Sequence, residues 1–421
     1  MATERAYWMA WSRKKHVGPV TKKRLWEYFG SMATAWEATA NELLLVDGIG
    51  LLTAEQIVSK RPSMRPSKLL REHEQVNQAF WTPADADYPA LLFAINAPPP
   101  VLYYRGRLRL NEAPLTLSVG MVGTRRPSAY GKRWTQRLSA GLSRRGAIII
   151  SGLAAGIDTE AHASCLQHRG STVAVLGTGV DVVYPYRNRA LYEQIVETGL
   201  VVSEYPDGTG PDKAHFPQRN RIIAGLSRAT LVMEAPARSG ALITARLAND
   251  YCREVFALPC TLDNEQGQGC LRLIEQGAQV ILGESALAQT LEALPKLDRS
   301  VVEKSEADEA EIEKSTAAKT EEKRIVSTTS SVTPGSAIAG STSAVSTSAV
   351  SPDAVSPDAV EQPNLSPILT QVFAAVPTEP TLLDYIVQQA QLETGRVLGA
   401  LVELELSGLI VQLPGMQYQR V

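Results

Sequence analysis

Residues 213–225, KAHFPQRNRIIAG, concentrate groups that can carry positive charge around the aromatic ring of Phe216. The charge-bearing side chains are those of Lys213, His215, Arg219 and Arg221. The formal net charge of the whole chain is only -2, so this concentration is local. Pro217 suits the first turn of a helix, where nearby cations meet the positive end of the helix dipole at a cost of about 0.3–1 kcal/mol each. Such a cluster indicates an anion site, and Phe216 beside it is placed to stack on a nucleic-acid base.

A second cationic loop is predicted within residues 115–134, LTLSVGMVGTRRPSAYGKRW. An apolar strand ends at Gly123, and a turn through Thr124, Arg125 and Arg126 leads to a helix that begins near residues 128–131. Glycine at the turn lets the backbone approach a ligand, and the N–H groups of a helix start can bind phosphate. Arg125 and Arg126 are therefore candidate phosphate ligands.

Two further loops place small polar residues between a predicted strand and a predicted helix. They are SGLAAGID, residues 151–158, and ARSGALITA, residues 237–245, which contains Ser239 and Gly240. Hydroxyl and backbone N–H donors of this kind suit phosphate. We expect these loops and both cationic loops to lie at the carboxyl ends of the strands, where they could share one pocket.

Other interpretations of the same residues remain open. Arg219 and Arg221 could instead be held in an internal ion-pair network by the carboxylates of Glu204, Asp158 or Glu234. Phe216 could be a core residue.

Asp158 and His162 have the spacing of an acid/base pair, but a helix cap and a hydrogen-bonded histidine are favoured for them. The sequence shows no Ser/His/Asp or paired-carboxylate set, so we expect binding rather than catalysis. GTGVD, residues 177–181, lacks the third glycine of a dinucleotide fingerprint, so no cofactor is expected.

The segments that must position these loops alternate between strand and helix. The predicted strands are LTLSVGMVG, AIIISG, TVAVLG, GLVVSE, ATLVMEA, EVFALP and AQVILG. Their apolar runs are continuous, which predicts a mainly parallel sheet covered by helices on both faces. The fold class is therefore α/β, a Rossmann-like doubly wound sheet whose ligand lies beyond the carboxyl ends of its strands.

Composition shifts divide the chain into five parts. They are a helical helix-hairpin-helix (SAM-like) domain at 1–75, a connecting segment at 76–113 that packs on the central domain, the Rossmann-like domain at 114–293, a disordered linker at 294–365 and a winged-helix domain at 366–421. Helix hairpins can present N–H groups to phosphate, and residues 1–75 carry 12 Lys/Arg against 8 Asp/Glu. A purely structural role for this domain stays open. The last domain has two Arg against five Asp/Glu, which favours a protein contact over duplex reading.

Global composition, with 44% hydrophobic and 20% charged residues, is that of a soluble globular protein. No apolar stretch reaches the roughly 20 residues of a membrane span, and no secretory signal begins the chain, so a cytoplasmic location without membrane contact is expected. The four cysteines form no CxxC pair, which predicts reduced thiols and no metal site.

Taken together, the motifs closely resemble the DprA/Smf family, the DNA-processing protein A group of natural transformation. The resemblance spans about residues 115–283 and rests on VGTRRPSAYG, SGLAAGIDTEAH, TVAVLGTGVDVVYPYRNRALY, SEYPDGTGPDKAHFPQRNRIIAGLS and EAPARSGALITA. Family DNA-binding positions carried over are Gly123, Thr124, Arg125, Lys213 and Phe216, with Arg219, Asn220 and Arg221 in the matching motif. Departures are Thr124, where serine is commoner, and Cys252 and Cys260, where glycine is usual; they leave the cationic loops untouched.

The resemblance implies a non-catalytic protein that binds and protects incoming single-stranded DNA and loads a RecA-type recombinase. It also implies a homodimer and contact with a single-strand-binding protein. The alternative is a nucleotide-binding or nucleotide-cleaving enzyme of a related Rossmann-like family, phosphoribohydrolase-like or lysine-decarboxylase-like. The motif PGGxGTxxE is typical of those families, whereas residues 237–245 lack its paired glycines and its downstream Glu.

Overall fold

A computed structural model describes residues 2–14, 16–77, 79–108, 110, 117–295, 367–379, 381–392, 394–406, 409–413 and 417–420. The chain divides into two compact units, one within residues 1–331 and one within 332–421. The predicted linker at 294–365 lies outside the described residues from 296 onward. Within the described part, no helix has both the length and the apolar character needed to cross a membrane. The four cysteines are free thiols.

The chain begins with six helices. They are α1 (Glu4–Ser12), α2 (Pro19–Phe29), α3 (Met32–Glu37), α4 (Ala40–Leu43), α5 (Leu51–Lys60) and α6 (Pro66–Val76). Buried indole rings hold them together: the rings of Trp11 and Trp36 meet edge to face at 5.5 Å. The predicted hairpin joins α4 to α5 through Gly48, whose φ of +89° is strained for residues with a side chain.

The central sheet has nine strands among the described residues, in the order β1-β2-β6-β5-β4-β3-β7-β8-β9. The strands are β1 (Phe80–Trp81), β2 (Leu102–Gly106), β3 (Ser118–Gly123), β4 (Ile148–Ser151), β5 (Thr172–Val175), β6 (Leu200–Ser203), β7 (Ala229–Glu234), β8 (Glu254–Ala257) and β9 (Gln279–Val280). Strands β3 to β9 pair in parallel, and β1 and β2 extend the edge antiparallel. All seven predicted strands are thus present.

Helices cover both faces of this sheet. They are α7 (Ala90–Phe93), α8 (Ala129–Arg144), α9 (Ile157–Gln167), α10 (Arg189–Thr198), α11 (His215–Leu226), α12 (Gly240–Asp250), α13 (Gln268–Glu275) and α14 (Glu284–Glu292). In β4, Ile149 packs with α8 and α9, whereas Ile148 and Ile150 pack with α11 and α12. Burial on both faces is why the strands read as continuous apolar runs. The doubly wound fold is confirmed.

The order of the strands reverses at β3. The chain adds β4, β5 and β6 on one side of β3 and then returns to place β7 on the other side. The loops that leave β3 and β7 therefore diverge, and such a switch point leaves a crevice at the carboxyl ends of the strands.

The second unit contains α15 (Pro367–Ala375), β10 (Thr381–Leu382), α16 (Leu383–Ala390), α17 (Thr394–Leu406), β11 (Ile410–Leu413) and β12 (Gln417–Arg420). Its core includes Val372, Ile386, Leu401 and Ile410. The three helices and the β11–β12 ribbon agree with the predicted winged helix. The sequence did not predict β10, which pairs with β12, because a two-residue strand has no periodic signal.

Candidate nucleic-acid interface

An open groove of about 690 Å³ lies at the switch point, beyond the carboxyl ends of β3 and β7. Ten of the eleven predicted site residues line it: Gly123, Thr124, Arg125, Arg126, Lys213, Phe216, Arg219, Asn220, Ser239 and Gly240. The sequence-predicted loops therefore share one pocket, as expected. Arg221 is absent from the lining.

The loop from β3 to α8 is fixed by a buried carboxylate. Ser128 is the N-cap of α8, and its backbone N–H and hydroxyl both donate to Glu234 at 2.7 Å. The backbone N–H of Thr124 donates to the Glu234 carbonyl at 2.6 Å. Glu234 thus holds the turn that presents Arg125 and Arg126, and it is not the partner of either interior arginine.

Gly123 lines the groove, and the absence of a side chain there also allows close packing that the sequence did not predict. A Cβ there would lie 2.6 Å from Ile157 Cγ1 and 2.8 Å from the Glu234 carbonyl oxygen. Gly156, with φ of +85°, packs against the same turn, since its Cβ would lie 2.4 Å from the Thr124 carbonyl oxygen. Both glycines let the β3 turn and the start of α9 pack closely.

The exposed cations of the groove are Arg125, Arg126, Lys213 and Arg238. Within the described residues, no ion pair joins any of these four side chains to a carboxylate. Nearby strand-end carboxylates already have partners, because Glu204 pairs with Arg221 and Glu234 binds Ser128. The four cations therefore face the groove with their charge uncompensated, the arrangement expected of a polyanion site.

Arg219 forms the floor of the groove rather than an exposed contact. Only 4% of its surface is exposed, and its guanidinium donates to the carbonyls of Gly152 and Val175. Burial lowers the pKa of Arg219 to about 10, whereas neighbouring Asp158 opposes this change. Arg219 thereby links α11 to β5 and to the end of β4. The prediction that its guanidinium contacts phosphate is corrected: Arg219 supports the floor of the groove from inside.

Arg221 is turned away from the groove and forms an ion pair with Glu204, which corrects its predicted role as a DNA ligand. The two side chains are only 12% and 13% exposed. The internal ion-pair alternative is therefore the one found for Arg221. Residues 219 and 221, two positions apart on α11, point to different sides of the helix.

The ring of Phe216 lies in the groove between an aromatic neighbour and a cation. Its centroid is 5.4 Å from that of Tyr184, and the Arg125 guanidinium carbon is 5.7 Å from it. A Cβ on Gly177 would lie 2.9 Å from Phe216 Cδ1, so this glycine makes room for the ring. A stacking surface beside a cation is thereby placed over the strand ends.

The opposite wall is formed by the start of α12. Ser239 is its N-cap and accepts a hydrogen bond from the Ala241 N–H at 3.3 Å, and Asn220 donates its amide to the Gly240 carbonyl at 3.2 Å. Asn220 and Ser239 therefore position the wall, which leaves Arg238 at its rim.

The lining residues that sequence reasoning did not select include Tyr184, Arg238 and Gln266. Arg238 belongs to residues 237–245, in which only the neutral residues Ser239 and Gly240 were predicted to bind phosphate. Tyr184 could have been found as an aromatic residue in a loop that follows β5. Gln266, which accepts a hydrogen bond from the Thr124 hydroxyl at 3.3 Å, carried no signal in the sequence.

The Asp158–His162 pair is structural, but the predicted helix cap at Asp158 is wrong, because Gly156 is the N-cap of α9 and Asp158 binds the loop before it. The Asp158 carboxylate accepts from the N–H groups of Gly152 and Ala154 at 3.1 and 3.3 Å. The Thr172 hydroxyl donates to the Ile149 carbonyl and accepts from His162 Nδ1 at 2.7 Å. Burial, together with the charge of Arg219, lowers the pKa of His162 to about 3, so this imidazole is neutral.

Arg238→Ala is expected to lower the slope of log K against log salt for single-stranded DNA by about 0.7, because one phosphate contact is lost. Fluorescence anisotropy of labelled oligo-dT across a salt series measures this slope. Arg246, an exposed arginine of α12 that does not line the groove, supplies the control: Arg246→Ala should leave the slope unchanged. Equal slopes for Arg238→Ala and wild type would show that Arg238 does not contact a phosphate.

The doubly wound sheet and its cationic switch-point groove define a Rossmann-like protein with a site for a polyanion. Residues 79–292 match the family DNA recombination-mediator protein A, and residues 355–416 match the DprA winged helix domain. The chain belongs to the DNA recombination-mediator protein A family, which confirms the predicted DprA/Smf resemblance.

Known relatives and a solved structure agree with this assignment. Protein Smf of Synechocystis is 45% identical over 99% of both chains. DNA processing protein DprA of Streptococcus pneumoniae is 44% identical over 49% of this chain and 72% of that protein. The X-ray structure of S. pneumoniae DprA superposes with a TM-score of 0.58 at 33% identity, covering 69% of this chain and 98% of that one.

Proposed function

We propose that this protein binds single-stranded DNA without sequence selectivity, protects it, and loads a RecA-type recombinase onto it during transformation and recombination. The observation that carries the proposal is the groove, which four exposed cations line without a carboxylate partner among the described residues, one of them beside the ring of Phe216. Membership of a family of DNA recombination mediators supports the same ligand.

Single-stranded DNA suits this groove better than a duplex. Arg125 and Lys213 would pair with phosphates, while Phe216 stacks on a base that a duplex would keep inside its helix. Stacking and phosphate pairing read no sequence, because every base has a π-face and every nucleotide a phosphate.

The role we propose is binding, not catalysis. The carboxylates that could act as acid or base near the groove already accept hydrogen bonds within the protein. Asp158 accepts from backbone N–H groups, and Glu234 accepts from Ser128 and Asn264. An assay for base release from nucleoside monophosphates tests the enzymatic alternative, since appreciable turnover would favour it.

A DNA-binding role also implies a cytoplasmic location.

One groove contacts only a few phosphates, so we propose that a homodimer joins two grooves on one strand and raises affinity through effective concentration. We further propose the recombinase and a single-strand-binding protein as partners, and a protein contact for the acidic winged-helix unit.

Titrating the intact chain with oligo-dT and with duplex DNA tests whether the protein prefers single-stranded DNA. Preference for the duplex would overturn the proposal.

Phe216→Ala is expected to weaken oligo-dT binding by about 1 kcal/mol, or fivefold, the lower end of the range for one stacked base. The low value follows because Tyr184 already packs against this ring. The salt slope should not change, since no charge is removed. Tyr28→Ala removes an exposed ring from α2, outside the groove, and serves as the control for anisotropy titrations. A changed slope for Phe216→Ala, or equal losses in both variants, would argue against stacking.

A further inference from the structure

A second cationic cavity, of about 190 Å³, lies in the helical region before the sheet. It is formed by the end of α1 and the segment that follows, and by one face of α5. The lining residues are Arg13, Lys14, His16, Val17, Thr53, Gln56, Ile57, Lys60 and Met64. Three of them are lysine or arginine, one is a histidine, and none is a carboxylate.

Lys14 forms the buried part of this cavity. Its exposed fraction is 7%, and its ammonium donates to the Ile57 carbonyl at 3.3 Å and lies 5.0 Å from the centroid of a Trp36 ring. An ammonium has three donors, and this single carbonyl satisfies one of them. Within the described residues, Lys14 forms no ion pair with a carboxylate. A buried cation without a counter-charge is costly unless an anion joins it.

The charges around Lys14 add to this imbalance. Burial, followed by the repulsion of Arg61 and Lys60, lowers the pKa of Lys14 to about 8. Arg13 and Lys60 are exposed at the rim of the cavity, so an anion can reach the buried ammonium from solvent. Thr53 lies on the same face of α5 and adds a hydroxyl donor.

The hairpin turn beside this cavity is a poorer place for an anion. Leu51 and Leu52, which follow the turn, are 59% and 74% exposed, and Arg24 is held by the Asp47 carboxylate at 2.6 Å. The cavity lies on the other side of α5, where Thr53, Gln56, Ile57 and Lys60 recur at helical spacing. Three of the twelve Lys/Arg of residues 1–75 therefore meet at this cavity.

We propose that the cavity between α1 and α5 is a second phosphate-binding site, in which Lys14 and Lys60 hold one phosphate group. Its volume suits a single phosphate with a few waters, not a nucleoside. The phosphate could belong to a DNA backbone that runs past the helical region or to a small phosphorylated compound. This site is independent of the groove at the strand ends.

Inorganic phosphate and oligo-dT are the probes, used with the full-length chain. To remove competition from the groove, the parent protein carries Arg125→Ala and Lys213→Ala. Calorimetric titration with inorganic phosphate should show saturable binding that Lys60→Gln weakens about fivefold, the upper range for one exposed cation. Lys14→Met, which keeps an unbranched side chain only one atom shorter, should abolish the saturable heat.

Lys68→Gln is the control, because Lys68 is an exposed lysine of α6 that pairs with Glu72 outside the cavity. It should leave the titration unchanged. Hydrogen-exchange mass spectrometry then locates the site: phosphate should slow exchange in the peptide spanning 51–64, and Lys14→Met should remove the effect. Since Lys60 is exposed, Lys60→Gln keeps the test decisive even if Lys14→Met fails to fold.

The two sources of phosphate give different results. If the ligand is a DNA backbone, oligo-dT also protects residues 51–64, and Lys60→Gln lowers its salt slope by about 0.7. If the ligand is a small phosphorylated compound, inorganic phosphate protects this peptide and oligo-dT does not. Protection by neither probe, or equal phosphate affinity for the parent and Lys60→Gln, would overturn the proposal. These outcomes do not depend on whether the groove binds DNA.

Discussion

A variant carrying both Arg125→Ala and Lys213→Ala is expected to bind oligo-dT about 25-fold more weakly than wild type at 0.1 M salt. Each phosphate contact on a single strand contributes about 0.7 to the slope of log K against log salt, or about fivefold between 1 M and 0.1 M. Both side chains are exposed and line the same groove, so their contributions should combine.

Anisotropy titrations from low to high salt measure this result, and the slope should fall by about 1.4. The loss should be the same for oligo-dT and for mixed sequences, since phosphate contacts carry no sequence information. Lys132→Ala with Arg133→Ala removes two exposed cations from α8 outside the groove lining and is the matched control. A loss confined to some sequences, or an equal loss in the control, would show that the groove is not the phosphate site.

The sequence predicted which loops meet, because parallel strands that are apolar throughout must be covered on both faces and must end at one edge. It could not predict that β7 lies beside β3, since strand order depends on pairing between distant segments. That pairing opens the groove, and it brings Glu234 to Ser128, 106 residues earlier in the chain.

The sequence also could not separate the cations that face the groove from those that do not. Lys213 and Arg221 belong to one short motif, yet Lys213 is exposed and Arg221 is paired with Glu204, which follows β6. The difference arises because Lys213 lies in the loop before α11, whereas Arg221 lies on that helix, next to a carboxylate that the sheet brings near. Gly123 was likewise predicted at the turn after β3, but the sequence could not show that Ile157, at the start of α9, packs against it.

Arg221→Ala is expected to lower the free energy of unfolding by about 3 kcal/mol, because it leaves the Glu204 carboxylate buried without its counter-charge. One oxygen of this carboxylate, Oε1, already has no hydrogen-bond partner, so the carboxylate depends on Arg221 for compensation. Urea unfolding followed by fluorescence measures the change. Adding Glu204→Ala should restore part of the loss, since the unpaired charge is then removed.

Arg189→Ala is the control for this ion pair, because Arg189 and Glu193 form an exposed pair at 2.9 Å with side chains 58% and 57% exposed. Its loss should be much smaller than that of Arg221→Ala, because solvent screens an exposed pair. The salt slope for oligo-dT should be unchanged in Arg221→Ala at temperatures where the variant is folded, because its guanidinium does not line the groove. If Arg221→Ala instead kept full stability and lowered the slope by about 0.7, Arg221 would be a phosphate ligand and the ion pair would give way when DNA binds.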